Sequence, residues 1–176
     1  MSAGFAPPEF SRMVDLRQIT AAPLSLTASE PECAALAARF GLVRLDRLAA
    51  TVALVATGDV VTATGRITAA WVQPCAVSGE DLAQAADEPL TLRFVPEAPL
   101  PDSEEEIELT AEDCDEIAYS GTSFDLGEAV AQSLGLAIDP FACGPNAEAA
   151  RRAAGIVSEG AAGPFGALAG LKLGKD

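Results

Sequence analysis

The sequence predicts an α+β fold: an antiparallel, partly barrel-like sheet of about five or six strands, two main helices and a mobile C-terminal tail. Three observations predict it. Runs of alternating apolar residues that end at glycine or proline fill much of the first half of the chain. Two capped segments carry apolar residues at helical spacing. Beyond Gly144 the chain is rich in glycine and alanine, which is typical of a mobile terminus.

The N-terminal elements are predicted to be two strands and a helix. Apolar residues alternate with charged ones in Arg12–Ile19, which predicts a strand, and Leu24 and Leu26 predict a short second one. Ser29, followed three residues later by a glutamate, forms a capping box that starts a helix. Gly41 is a natural C-cap for that helix.

The central segment predicts a hairpin of two long strands. Gly58 and Asp59 lie between two strand-like runs, which is a signal for a two-residue turn. The return strand, Val60–Val72, is predicted to bulge or bend at Gly65 and to stop at Pro74. Beyond it, the sequence predicts one helical turn over 78–86 and a strand over Pro89–Val95.

A second helix is predicted after Asp125, which caps it, while Glu128 completes a capping box. Its apolar stripe is predicted to bury Leu126, Val130, Leu134 and Ala137. A weak helix is predicted over Asn146–Ala154. The predicted organisation is one α+β domain over 1–143, with an acidic segment over 101–118, and a Gly/Ala-rich tail with a Pro-Phe motif over 144–176.

The acidic charge of the chain is concentrated in one region. The net charge is −15, and the stretch from Pro101 to Pro140 is rich in aspartate and glutamate but contains no lysine or arginine. This stretch is either a solvated loop or a docking face for a basic partner such as a ribosomal protein. In both cases the negative potential of this stretch repels naked nucleic acid. Tight binding to phosphates needs several cations, which the stretch lacks.

The residue types argue against an enzyme and against a cofactor. The chain has no histidine, no phosphate-binding glycine loop and no nucleophile elbow. Its four cysteines are Cys33, Cys75, Cys114 and Cys143, and their wide spacing does not resemble a zinc motif. Cys33 lies on the apolar face of the first helix, which indicates a packing role. We therefore expect no catalytic, cofactor-binding or metal-binding residues and no small-molecule substrate.

The sequence shows neither a membrane-spanning run nor a secretion signal. The strongest apolar run, Leu48–Ala56, is shorter than the roughly 18 residues that a spanning helix needs. The N-terminal residues lack a basic start and an apolar stretch. These features predict a cytoplasmic protein without a membrane partner.

Two segments are candidates for contact with a partner. The first is the strand end with Trp71, Gln73, Pro74 and Cys75, which is either a tightly packed corner of the core or a surface that a partner binds. The second is the amphipathic tail segment, which either folds back onto the domain or inserts into a partner's groove. Its candidate contact residues are Phe165, Leu168, Leu171 and Lys172.

Four segments, in the right order, resemble the YceD family of large ribosomal RNA subunit accumulation proteins. The strand end Val72–Ser78 resembles the Gln-Pro-Cys motif of its proteobacterial type, and Phe124–Glu128 resembles its Ile-Asp-Leu-Gly-Glu helix start. Pro164–Lys172 is similar to its Pro-Phe terminus, and Glu30–Leu42 to its N-terminal helix. Ala76 and Ser78 depart from the usual strand motif, and this chain keeps too few cysteines for a metal site to be carried over.

The resemblance implies a non-catalytic ribosome-biogenesis factor that supports the accumulation of large-subunit (23S) rRNA. The partner would be a precursor of the large ribosomal subunit, bound through a ribosomal protein or through 23S rRNA. Direct rRNA binding would need an arginine patch near Trp71, gathered from the dispersed arginines. The alternative function is that of a metal-binding protein, thiol enzyme or redox protein centred on Cys75.

Overall fold

The structure is a computed structural model that describes residues 8–97 and 116–156. Within these residues lie the strands β1 (Met13–Asp15), β2 (Leu24–Thr27), β3 (Arg44–Thr57), β4 (Val60–Pro74), β5 (Asp81–Pro96), β6 (Glu116–Tyr119) and β7 (Ser123–Asp125). The same residues form the helices α1 (Glu30–Phe40), α2 (Leu126–Ala137) and α3 (Ala147–Ala153). None of these helices has the length and hydropathy that are needed to cross a membrane.

Five strands form a mostly antiparallel sheet in the order β2-β3-β4-β5-β6, and β1 pairs with β7 in a separate two-stranded ribbon. The exception to the antiparallel pattern is β6, which runs parallel to β5. The larger sheet is not closed into a barrel, because β2 and β6 are its two edge strands. The predicted α+β class is confirmed, with an open sheet.

The chain divides into two compact units. The large unit combines Met1–Gln73 with Ala83–Asp139, and the small unit combines Pro74–Leu82 with Pro140–Asp176. The weak helix that the sequence predicts beyond Asn146 is confirmed as α3. The remainder of the predicted mobile tail, and most of the acidic segment, lie outside the described residues. The expected boundary between a domain over 1–143 and a tail over 144–176 remains a prediction.

The core of the large unit lies between its sheet and its helices. Alternate residues of β3 and β4 point inward, and Leu48, Val52 and Val61 are completely buried. The rings of Phe94 and Phe124 stack with their centroids 4.1 Å apart, which links the five-stranded sheet to the ribbon. This burial is the main stabilising contribution, since each fully buried aliphatic or aromatic side chain is worth about 1.5–3 kcal/mol.

Helix α1 begins and ends where the sequence predicts. The capping box of Ser29 and Glu32 is present, and Gly41 adopts φ 65°, a left-handed conformation that favours glycine at a C-cap. Cys33 and Leu36 lie on the buried face of this helix. Burial raises the pKa of the Cys33 thiol, so this cysteine stays neutral and packs as an apolar side chain.

The predicted bulge at Gly65 is wrong. Gly65 lies opposite Val52 in continuous register, and the irregularity between β3 and β4 falls between Leu45 and Arg47. Glycine is needed at position 65 for a different reason, because a Cβ there would lie 2.0 Å from the backbone oxygen of Thr51. The glycine therefore permits a close approach of the two strands.

Two other elements differ from their predicted form. The helical turn expected over 78–86 is absent, because β5 already begins at Asp81 and its residues alternate between exposed and half-buried. Pairing with β4 supplies the backbone partners that a single helical turn would lack. The strand expected over Arg12–Ile19 is shorter: the Asp15 carboxylate accepts the Arg17 N–H at 2.9 Å and starts a 3-10 turn over Leu16–Gln18.

Candidate functional site

Trp71 and Gln73 lie at the end of β4 in the large unit, and both side chains point into the core. They are 3% and 4% exposed, and Gln73 is the one buried polar residue in the described part of the chain. The Trp71 indole N–H donates to Gln73 Oε1 at 2.7 Å, and Gln73 Nε2 donates to the Asp139 carbonyl at 2.6 Å. This chain of hydrogen bonds makes the strand end a packed corner, so neither side chain forms part of the surface.

Cys75 lies in the small unit, where the chain folds around its sulfur. The backbone N–H groups of Ser78 and Gly144 donate to Cys75 Sγ at 3.4 and 3.3 Å. The Cys75 N–H donates to the Glu80 carbonyl at 2.8 Å, and the Ala76 N–H donates to a carbonyl of the second segment at 3.0 Å. The sulfur therefore joins the two segments of the small unit, Pro74–Leu82 and Pro140 onward.

A polar contact between side chains reinforces the same junction. Asn146 Nδ2 donates to both carboxylate oxygens of Glu80, at 3.0 and 3.3 Å, and the Ser78 hydroxyl lies 3.2 Å from Glu80 Oε2. Nothing in the local sequence indicated this role for Glu80, because its partner Asn146 lies far along the chain. The exposed residue Pro74 precedes this junction.

The surroundings of Cys75 favour the thiolate. The N–H groups of Gly144 and Ser78 hold the pKa of the Cys75 thiol down from its ordinary value of 9.0 to about 6. Cys75 is nevertheless 4% exposed, so the anion is enclosed by its donors. Thiolate attack on a substrate requires access to the sulfur, and burial denies it here. This arrangement suits a structural anion better than a nucleophile.

The second cysteine of the small unit does not form a metal site with Cys75. Cys143 is exposed, and its thiol donates to the Phe141 carbonyl at 3.2 Å. Over residues 8–97 and 116–156, no group of three or more cysteine, aspartate or glutamate side chains is placed to hold a metal ion.

The stability of the protein is expected to rise between about pH 6 and pH 9 because of Cys75. In that window the folded protein holds the thiolate while the unfolded chain holds the thiol, so folding releases a proton. This contribution is fully present above pH 9.0 and disappears as the pH falls through about 6. The measurement is the urea midpoint of wild type and of Cys75→Ala across this range. Equal pH slopes for the two proteins would contradict the assignment.

The helix start Asp125–Glu128, which the sequence analysis singled out, joins the residues before β1 to α2. The Asp125 carboxylate accepts hydrogen bonds from the Ser11 hydroxyl at 2.6 Å, the Arg12 N–H at 2.7 Å and the Glu128 N–H at 3.1 Å. The predicted helix cap is confirmed, and the cap also holds the N-terminal segment in place. The sequence did not reveal this second role, since Ser11 and Arg12 are distant in the chain.

Glu128 does not complete the predicted capping box. Its carboxylate instead accepts two hydrogen bonds from Arg39 of α1, at 2.8 and 2.9 Å. The Arg39 guanidinium lowers the pKa of Glu128, so the carboxylate stays charged and the pair links the two helices. A paired Arg39 and Glu128 therefore explain why a glutamate occupies the end of this motif.

The dispersed arginines do not form a free cationic patch. Six arginines that are dispersed along the described residues each make an ion pair. The pairs are Arg12 with Glu32, Arg17 with Asp15, Arg39 with Glu9 and Glu128, Arg44 with Asp46, Arg66 with Asp87, and Arg93 with Glu116. A guanidinium already bound to a carboxylate would have to give up that partner to bind a phosphate. The arrangement therefore disfavours a phosphate-binding surface.

The family model described as "Large ribosomal RNA subunit accumulation protein YceD" matches residues 63–172. The chain belongs to the YceD family. The predicted family is thereby confirmed. The proteobacterial type of the Gln-Pro-Cys motif, and the likeness of Glu30–Leu42, which precedes the matched residues, remain predictions. No curated protein and no solved structure matches the chain.

The YceD match begins inside β4 and includes both motifs described above. It covers the Trp71–Cys75 strand end and the Asp125–Glu128 helix start, whereas β1, β2 and α1 precede it. The tail candidates Phe165, Leu168, Leu171 and Lys172 fall within the matched residues but outside the described ones. A partner-binding role for any of these residues remains a prediction.

Proposed function

We propose that this protein is a non-catalytic ribosome-biogenesis factor of the cytoplasm that supports the accumulation of large-subunit (23S) rRNA. It does so by binding a precursor of the large ribosomal subunit. The observation that carries the proposal is the YceD family match over residues 63–172. A non-catalytic role agrees with the two motifs of the matched region, since both hold the fold together and the Cys75 sulfur is buried.

The contact with the precursor is made through a ribosomal protein rather than through naked rRNA. The net charge of −15 repels phosphates and attracts basic proteins. The ion pairs of Arg12, Arg39 and Arg66 support the same choice, because these side chains are neutralised within the chain.

The proposal is tested in growing cells of the source organism. Deletion of the gene is expected to lower the ratio of 23S to 16S rRNA, and the reintroduced gene is expected to restore it. The tagged protein is expected to co-sediment with large-subunit precursors and to crosslink to protein. An unchanged rRNA ratio together with no co-sedimentation would refute the proposal, and crosslinks to rRNA alone would refute the protein contact.

The tail is expected to contribute to this binding. A chain that lacks residues 164–176 loses Phe165, Leu168, Leu171 and Lys172, the apolar and basic residues that fit a linear motif. We expect it to co-sediment less with precursors while its melting temperature stays close to that of wild type. Full co-sedimentation after the truncation would contradict a role for the tail.

A thiol-based function centred on Cys75 is the second candidate, favoured by the lowered pKa of about 6. The enclosure of the sulfur weighs against it, as does the absence of histidine from the sequence. The variant Cys75→Ser separates the two candidates when it is introduced into cells that lack the gene. A thiol function predicts that the variant does not restore the ratio of 23S to 16S rRNA at all. An assembly role predicts rescue in proportion to the folded protein that remains.

A further inference from the structure

A groove separates β1 from β2 in the large unit, and we call it the seam. It has a volume of about 250 Å³, and buried Leu26 and Leu126 form its floor. Met13 and Leu24 form its walls and are 61% and 38% exposed, which is unusual for large apolar side chains on both sides of one groove.

The edge of β2 that faces the seam has unused backbone groups. The Ala28 N–H donates to the Leu48 carbonyl of the neighbouring chain segment at 2.9 Å, which fixes the phase of the antiparallel ladder between β2 and β3. Alternate residues of such a ladder bond to the same neighbour, so Leu26 bonds to β3 and Ser25 points its N–H and C=O away from it. Thr27 points the same way, and its carbonyl accepts from Arg12 Nη2 at 3.3 Å.

The edge of β1 that faces the seam is open as well. The Leu126 N–H donates to the Arg12 carbonyl at 3.0 Å, and the Leu16 N–H donates to the Thr122 carbonyl at 2.9 Å. These bonds fix the phase of the ladder between β1 and β7, so the main chain of Met13 points away from β7.

The strands β1 and β2 line the seam from opposite sides and are not paired with each other. A long arginine side chain spans it, since Arg12 on one side reaches the Thr27 carbonyl on the other. Direct pairing would bring β1 and β2 to about 4.8 Å, whereas a strand between them requires about twice that spacing. The two facing edges and the apolar floor thus suit an extended peptide that places an apolar side chain on Leu26 and Leu126.

The charges around the seam select a basic occupant. Arg12 is the charged residue among those that line the seam, and it binds Glu32. The Asp125 carboxylate also attracts Arg12, so two carboxylates lie beside the one cation that lines the seam. Together with the net charge of −15, this favours the approach of a positively charged peptide.

We propose that the seam binds a basic, extended segment of a large-subunit ribosomal protein by strand addition to β2. This inference rests on the proposed function and names its binding surface. Backbone hydrogen bonds to Ser25 hold the peptide, and the apolar groove between Met13 and Leu24 selects its side chain.

The test compares Ser25→Pro with Ser25→Ala in the full chain. Proline removes the outward N–H and is tolerated on an edge strand, whereas alanine keeps the backbone donor. The probes are overlapping synthetic peptides that cover the basic extensions of large-subunit ribosomal proteins, followed by fluorescence anisotropy of the best binder. We expect Ser25→Pro to weaken binding by about tenfold or more and Ser25→Ala to leave it unchanged. Both variants are expected to keep the wild-type melting temperature.

Amide hydrogen exchange of the wild type supplies a second readout. In the free protein Leu26 and Ala28 are expected to exchange slowly and Ser25 rapidly, and the bound peptide is expected to slow Ser25 alone among these amides. The inference is overturned if no peptide binds or if Ser25→Pro binds the peptide as tightly as wild type does. It is also overturned if ultracentrifugation shows a dimer and the Ser25 amide of that dimer exchanges slowly without peptide. Equal co-sedimentation of Ser25→Pro and wild type with precursors would overturn the role of the seam but leave the proposed function unaffected. Failure of the wild type to co-sediment would instead count against the proposed function.

Discussion

Replacement of Gly127 by alanine is expected to lower the free energy of unfolding by about 3 kcal/mol or more. Gly127 lies in the first turn of α2, against the backbone of the N-terminal segment. A Cβ at this position would lie 2.6 Å from the Phe10 carbonyl oxygen and 2.7 Å from the Arg12 nitrogen. Backbone atoms cannot rotate away, so the helix and the N-terminal segment must separate. Urea denaturation of Gly127→Ala against wild type measures the loss.

Gly135 in the same helix provides the matched control. A Cβ there would lie 2.9 Å from Cε1 of the Phe40 side chain, which can turn aside. Alanine is favoured over glycine in a helix by about 1 kcal/mol, which offsets the cost of moving the ring. We therefore expect Gly135→Ala to be close to neutral. Similar losses for the two variants would mean that the tight packing at Gly127 does not limit stability.

Replacement of Gln73 by leucine is expected to cost about 2–4 kcal/mol of stability. The side chain of Gln73 accepts the Trp71 indole N–H at 2.7 Å and donates to the Asp139 carbonyl at 2.6 Å. Leucine fits the volume but leaves the buried indole N–H without an acceptor and removes the donor to Asp139. Thermal and urea unfolding measure the effect, and tryptophan fluorescence reports the surroundings of Trp71, the single tryptophan of the chain.

The variant Gln73→Glu tests whether the missing donor is the cause. A carboxylate still accepts from Trp71 but has no hydrogen for the Asp139 carbonyl, whereas a protonated carboxyl group restores both bonds. Burial raises the pKa of such a carboxyl group, so its protonated form is favoured in the folded state. Gln73→Glu is therefore expected to gain stability relative to wild type as the pH falls toward about 4, the ordinary value for glutamate. An unchanged difference between the two proteins over this range would rule out the hydrogen-bond explanation.

The two motifs within the matched region owe their residue types mainly to packing. Asp125 caps α2 and holds Arg12, Gly127 makes room for the N-terminal backbone, and Glu128 binds Arg39. At the other motif, the Gln73 side chain accepts the Trp71 indole N–H, and the Cys75 sulfur accepts a backbone N–H. Both motifs were recognisable in the sequence, but the reason for each residue type emerged only with its distant partner.

The sequence by itself determined the features that depend on neighbouring residues. The capping box at Ser29, the left-handed glycine at Gly41, the turn at Gly58 and the cap at Asp125 are all present where predicted, because each rests on hydrogen bonds or dihedral angles within a few residues. Together with the apolar alternation, these signals were sufficient for the α+β class. The family followed from the order of the motifs.

The tertiary structure alone decided which distant segments meet. The segment that begins at Asp81 forms a strand rather than a helical turn, and Gly65 is needed because a Cβ there would clash with the neighbouring strand. The packing also leaves an open seam beside β2. It also placed the Gly144 N–H on the Cys75 sulfur, which lowers the pKa of that thiol. Each of these features depends on contacts between residues far apart in the chain, and such contacts arise from the packing of the whole core rather than from any local pattern.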